Sequence, residues 1–180
     1  MMMSQHVAAL LIIDMQNGLV NGEKTPWARE SLLNNINKLI AKARESQQTI
    51  IFVQHTGPDG TILAQGSEMW QIAPELQREE HDSYLTKTRP SCFYQTSLMS
   101  LLAEKGIKKL IVSGMQTDYC VDTTCRAGRD LGLDTVLVSD AHSTFANGVQ
   151  SAEQIVAHHN KLLSGPFVTL LTSDEVSFKR

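Results

Sequence analysis

The feature that most constrains this chain is the run Val7–Ile13, seven apolar residues in a row that stop at Asp14. It is far shorter than the ~20 residues needed to span a bilayer. It also lacks the alternation of a strand with one wet face, so it reads as a strand buried on both sides. Similar runs recur at Thr49–Val53, Lys109–Ser113, Asp134–Val138 and Phe167–Leu171. Between them lie helical patterns. Over Glu30–Gln47, Leu32, Leu33, Ile36, Leu39, Ile40 and Ala43 form one stripe. Gln95–Lys105 stops at Gly106, Thr117–Leu131 stops at Gly132, and Gln150–Leu163 leads through Gly165-Pro166 into the last strand. Strands apolar on both faces and separated by helices imply parallel crossovers. The pattern predicts a three-layer α/β/α fold with a doubly wound, mainly parallel, Rossmann-like sheet. It is read as a single domain over residues 1–180, with residues 1–5 a disordered tail.

At 180 residues, folding buries roughly 70% of the unfolded surface, so no disulfide or metal staple is needed. The cysteines Cys92, Cys120 and Cys125 are odd in number and form no C-x-x-C pair. They read as reduced thiols. The N-terminal Met1–His6 carries no Lys or Arg and no A-x-A-like site, so no secretory signal is expected. Sixteen Lys and Arg stand against nineteen Asp and Glu, and the densest basic cluster is Lys105, Lys108 and Lys109. No stripe tracks phosphates, so nucleic acid is not an expected partner. A cytoplasmic protein with no membrane association is expected.

The interval from Thr56 to about Ser83 breaks the alternation, with Gly57-Pro58-Asp59-Gly60, Gly66, Trp70, Pro74 and the polar run Arg78–Asp82. Loops this long in a compact domain are usually lids or binding segments. The short piece Tyr84–Thr86 then delivers Lys87.

Open parallel sheets bind ligands at the carboxyl ends of their strands. The ionisable groups that follow strands here are Asp14, His55, Lys87, Cys120 and Asp140. Cys120 has the best individual case. Gly114–Val121 reads as strand, tight turn and helix start, with Thr117 or Asp118 as N-cap and the cysteine in the first turn. There the helix dipole favours a thiolate and the free N–H groups can hold an oxyanion. The other reading of such a cysteine is a small buried hydrophobe, which is how Cys92 and Cys125 are read. A free thiol and a free aspartate differ in pKa enough that proton transfer between them is uphill by roughly 6 kcal/mol. A helix N-terminus supplies at most ~2 kcal/mol of this. A neighbouring ammonium and a desolvated carboxylate close the rest. Asp14, Lys87 and Cys120 therefore make a chemically coherent set.

At these residues the sequence resembles the isochorismatase-like cysteine hydrolases, which include nicotinamidases and N-carbamoylsarcosine amidases. The resemblance rests on Leu11-Ile12-Ile13-Asp14-Met15-Gln16, on Lys87 followed by Phe93-x-x-Thr96, on Gly114–Val121, and on Val138-Ser139-Asp140-Ala141. It implies an Asp–Lys–Cys triad at Asp14, Lys87 and Cys120, and a cis peptide between Met115 and Gln116. It also implies an oxyanion hole made by the backbone N–H groups of Gln116 and Cys120. The expected reaction is hydrolysis of an amide, ureide or carbamoyl C–N bond of a small molecule through a thioester. A homo-oligomer is expected by the same likeness.

Nicotinamidases carry an Asp-x-His metal motif after the second strand, whereas here Gln54 precedes His55. Asp59 and His81 are the other candidate partners of His55, but their spacing is irregular. No metal and no other cofactor is expected. Position alone nominates Gln16, Trp27, Trp70, Phe93 and Tyr119 for the substrate pocket, with His142 and Phe145 also near the rim. Asp140 reads as a loop brace. A Cys–His–Asp hydrolase using His55 or His142, isochorismatase-type hydrolysis of a vinyl ether, which needs no cysteine nucleophile, and a catalytically silent scaffold are the rival readings. A nucleotide-binding module is disfavoured because Asp14–Gly18 holds neither G-x-G-x-x-G nor a P-loop.

Overall fold

The computed structural model describes residues 8–178; the expected tail at residues 1–5 lies outside them. Six strands form one sheet: β1 (Ala8–Ile13), β2 (Thr49–His55), β3 (Ser83–Lys87), β4 (Lys109–Met115), β5 (Asp134–Ser143) and β6 (Thr169–Leu171). Every neighbouring pair is parallel, and the order is β3-β2-β1-β4-β5-β6. Five helices accompany them: α1 (Asn17–Val20), α2 (Arg29–Glu45), α3 (Leu98–Glu104), α4 (Asp122–Asp130) and α5 (Ala152–Leu163). The chain winds outward from β1 to β3, then returns across β1 to lay down β4. The direction of winding therefore reverses between β1 and β4, the place where such sheets bind ligands.

Alternation along β1 divides the interior into two cores. Leu10 and Ile12 pack with the α2 stripe of Leu32, Leu33, Ile36, Leu39, Ile40 and Ala43. Ala9, Leu11 and Ile13 face the other way, toward Leu98, Leu102, Cys125 and Leu163. The sheet is thus covered on both faces, and the expected doubly wound α/β architecture is the one observed, with all strands parallel rather than mainly so.

Two departures from the sequence reading shape the site. First, β5 does not stop at Val138. The register with β4 jumps between Val112 and Gly114, so that Gly114 pairs with His142 and Met115 with Ser143. The extra residues form a bulge whose polar groups are met by neighbours. Asn160 and Asn35 donate to the carbonyls of Ser139 and Asp140. The Asp140 carboxylate accepts from the backbone and hydroxyl of Ser173. Polar residues that read as a strand end are instead a braced kink inside it, and Asp140 is the brace.

Second, the segment 56–82 adds no strand to the sheet but is bound firmly to it. Asn17, Gly18 and Ala73 make backbone bonds to Gln71, Met69 and Met15 respectively, while Ile72, Ala73 and Leu76 are buried in the core. A side chain at Gly18 would press on Leu63 and Met69 at 3.0–3.3 Å, so glycine permits this close approach. Arg44 of α2 grips the far end through both carboxylate oxygens of Asp82, at 3.0 and 3.1 Å.

Candidate active site

Three strand exits converge at the point where the winding reverses. Asp14 leaves β1 with φ +50°, a left-handed conformation that aspartate tolerates better than most residues. Lys87 ends β3 and stands in register with His55, which ends β2. Cys120 lies beyond β4, after a cis peptide between Met115 and Gln116. Gly114 has φ +113°, and a Cβ there would fall 2.2 Å from the Ile13 carbonyl oxygen. Only glycine lets β4 approach β1 this closely next to the site.

Cys120 is not in the first turn of an α-helix. Thr117–Val121 forms a π-helical turn ahead of α4, and Gln116 rather than Thr117 or Asp118 occupies the capping position, without a side-chain bond. Tyr119 and Val121 both donate to the Gln116 carbonyl. The side chains expected to cap are engaged by the end of β5: Thr117 Oγ1 lies 2.8 Å from His142 Nδ1, and Asp118 Oδ1 accepts from Thr144 Oγ1 at 2.6 Å. Wider π turns are common at functional sites.

Lys87 Nζ is the hub. It lies 2.9 Å from Asp14 Oδ2, 3.2 Å from Cys120 Sγ, 3.2 Å from His55 Nδ1 and 3.1 Å from the Arg89 carbonyl oxygen. Asp14 and Lys87 are each 2% exposed and Cys120 is half-buried. Asp14 Oδ1 is buried with no hydrogen-bond partner. Burial raises the Asp14 pKa above the usual carboxylate range, against the pull of Lys87. Burial works to lower Lys87, but Asp14 and Cys120 outweigh it and leave the pKa raised, so the ammonium keeps its proton. Burial, reinforced by the Asp14 charge, pushes the Cys120 thiol up to about 12 although Lys87 opposes it. The helix terminus and the ammonium favour a thiolate; burial and the Asp14 charge work in the opposite direction.

Asp14, His55 and Cys120 present ligand atoms within 4.8 Å of one another, a spacing that suits a metal. Lys87 Nζ already lies within 3.2 Å of an atom of each, so a bound cation would have to displace the ammonium. The sequence candidates Asp59 and His81 are elsewhere. Asp59 is in the exposed loop, and His81 pairs with Glu79 and Arg44 at the opposite end of the sheet.

The nominated pocket residues separate. The Gln16 side chain is 0% exposed, and its amide is fully taken by the backbone: it donates to the carbonyls of His55 and Trp70 and accepts from the His55 N–H. It fastens the wall of the site and does not face a substrate. Phe93, partly buried, packs on the second core and beside Gly128 of α4. Trp27 lines a cavity of about 420 Å³ between α2, β5 and α5, bounded also by His142, Asn160 and Asp140 and by none of the Asp14–Lys87–Cys120 set. Phe145 packs on the first core. Trp70 is half-buried with its indole N–H on Thr56 Oγ1, and Tyr119, 56% exposed, stands beside the cysteine. Sequence reading missed the approach of His55 and the Arg89 carbonyl to Lys87. The pairing of β2 with β3 is the signal that could have supplied the first.

An acid, an ammonium and a thiol gathered where a six-stranded parallel sheet reverses its winding define an isochorismatase-like cysteine hydrolase. The isochorismatase domain model matches residues 8–175, and the chain belongs to that family. The secreted isochorismatase effector Isc1 of Verticillium dahliae is 30% identical over 171 residues, covering 94% of this chain and 90% of its own. The ureidoacrylate amidohydrolase RutB of Enterobacter is 31% identical, covering 76% of this chain and 75% of that one. The crystal structure of an isochorismatase family protein superposes with a TM-score of 0.87 at 36% identity, over 95% of this chain and 100% of that chain. Among the described residues, no helix is long and apolar enough to cross a membrane.

Proposed function

We propose that this protein hydrolyses a C–N bond of a small amide, ureide or carbamoyl compound, with Cys120 as nucleophile, Asp14 as proton carrier and Lys87 as electrostatic partner. The observation that carries the reading is the position of Lys87 Nζ, 2.9 Å from the Asp14 carboxylate and 3.2 Å from Cys120 Sγ. The similarity to an amidohydrolase supports the bond type.

Burial raises the thiol pKa, which favours loss of its proton as sulfur bonds to the carbonyl carbon. Asp14 takes that proton, and Lys87 offsets the negative charge that passes from carboxylate to sulfur. The tetrahedral oxyanion rests on the backbone N–H groups of Gln116 and Cys120. Asp14 then returns the proton to the nitrogen as the C–N bond breaks, releasing amine or ammonia and leaving a thioester on Cys120. Water attacks the thioester with Asp14 as base, freeing the acid and restoring the thiol. A histidine base has less support. Both ring nitrogens of His142 are engaged by Thr117 and Asn160, and His55 presents Nδ1 to Lys87 rather than to sulfur. Three unbridged thiols fit a reducing compartment such as the cytoplasm.

The test is ammonia or amine release from a panel of small amides, ureides and carbamates, run on wild type and Cys120→Ala. Turnover of at least one compound by wild type, with loss of about 10⁴-fold or more in the variant, is expected. Equal turnover by a folded Cys120→Ala protein would falsify the cysteine mechanism.

A further inference from the structure

We infer that His142 is a positioning residue for the proposed hydrolysis: through Thr117 it holds the turn that carries Cys120 in its working orientation. The inference rests on the reading of Cys120 as nucleophile, and the turn, the bulged strand and their hydrogen bonds carry it.

The protonation pattern follows from the partners. Asn160 Nδ2 donates to the Ser139 carbonyl at 3.1 Å, which fixes the amide so that Asn160 Oδ1 faces His142 Nε2 at 2.7 Å. An amide oxygen only accepts, so Nε2 carries the hydrogen. Burial pushes the His142 pKa down to about 4, with Asn160 and Asp140 opposing and His159 assisting, so the ring is neutral. Nδ1 therefore has a bare lone pair, and at 2.8 Å it accepts the hydroxyl proton of Thr117. Hydrogen bonds run in one direction from Thr117 through His142 and Asn160 to Ser139, and each donor on that path meets one acceptor.

This path begins at a consequential place. Thr117 is fully buried, directly follows Gln116 and opens the π turn, three residues before Cys120. His142 reaches it only because β5 bulges and resumes pairing with His142 opposite Gly114. An ordinary β-strand would have put a different residue there. A buried hydroxyl can rotate to any acceptor nearby, so a single well-placed one decides the setting of the turn. Small displacements of a nucleophile lower the rate far more than they lower stability.

The two amide replacements of histidine separate a positioning role from mere filling. His142→Asn places an acceptor where Nδ1 was and keeps the Thr117 bond. His142→Gln places a donor where Nε2–H was, keeping Asn160 and abandoning Thr117. With p-nitrophenyl acetate as the acylating probe, His142→Asn should stay within about threefold of wild-type kcat, whereas His142→Gln should fall by about 10- to 100-fold with KM little changed. Thr117→Val should match the fall, and Thr117→Ser should restore the rate. Equal losses in the two histidine variants that follow their Tm values, or a Thr117→Val protein with wild-type kcat, would overturn the inference. Should both histidine variants fail to fold, the Thr117 pair decides the matter alone. A wild type no faster than Cys120→Ala on this probe would instead refute the cysteine mechanism itself, so the two failures are distinguishable.

Discussion

Two buried polar clusters lie at the carboxyl edge of the same sheet, and their hydrogen bonds balance differently. Around Lys87, three N–H groups face four acceptors, and the Asp14 carboxylate is drawn on by both the ammonium and the Cys120 thiol. Around His142, the Thr117 hydroxyl, both ring nitrogens, the Asn160 oxygen and one Asn160 N–H are matched donor to acceptor, ending on the Ser139 carbonyl. The first cluster holds charge and the second holds none. A protein interior usually satisfies its polar groups, so the mismatch at Lys87 marks where protons and bonds are rearranged. The match at His142 marks where geometry is kept.

Four measurements bear on this contrast, from the largest effect to the smallest. Asp14→Asn removes the proton carrier while keeping its shape, and kcat should fall on the order of 10⁴-fold in steady-state assays of whichever amide the wild type turns over. Lys87→Met removes the charge but not the stem. Its kcat should fall by about 10²- to 10³-fold, and urea titration should show a loss of about 3 kcal/mol or more, because Asp14 is left buried without its counter-charge. Both losses together are the signature of the charged cluster; a variant of full stability and full activity would show that the cluster is only packing.

The neutral cluster should show itself in acid. An unfolded histidine binds a proton below about 6.5, whereas His142 in the folded protein does so only below about 4. Between these values the unfolded chain holds the extra proton, so stability rises with pH across that window and is lost as pH falls through it. The loss amounts to about 3 kcal/mol at the acid end. Urea midpoints at pH 7, 5.5 and 4 should therefore converge for wild type and His142→Asn as the pH drops. A gap that stays constant would mean the ring is not held neutral. The smallest effect belongs to Trp27, which lines the cavity beside the neutral cluster and touches none of the reacting groups. Trp27→Ala should change kcat/KM by less than about threefold. A larger loss would place the substrate in that cavity and dissolve the distinction between the two regions.

The strand-exit rule made much of this site legible in the sequence, because a parallel sheet sends every strand end to one rim. Asp14 follows seven consecutive apolar residues, and Lys87 needs only the short extended piece before it. The α2 stripe of six buried side chains could be read one by one. What stayed hidden was set by pairing between distant segments. The bulge that carries β5 past Ser139 depends on its register with β4, and nothing local in Val138–Ser143 announces it. The π turn depends on Thr117 and Asp118 finding partners on that extended strand in place of capping a helix. The settings of Gln16, Phe93 and Trp27 stayed hidden for a related reason. Proximity in sequence to a reactive residue says nothing about which face a side chain takes, and Gln16, two positions from Asp14, is turned wholly onto the backbone. The opposing push of burial on the thiol stayed hidden because charge and dipole can be read from residue types, whereas desolvation can be read only from the folded chain.

The most direct test is to acid-quench the enzyme during turnover of a small amide and weigh the intact protein. An added mass equal to the acyl half of the substrate, mapped by peptide fragmentation to Cys120 and absent from Cys120→Ala, is the predicted result. Sustained turnover with no adduct, together with an active Cys120→Ala protein, would contradict the account.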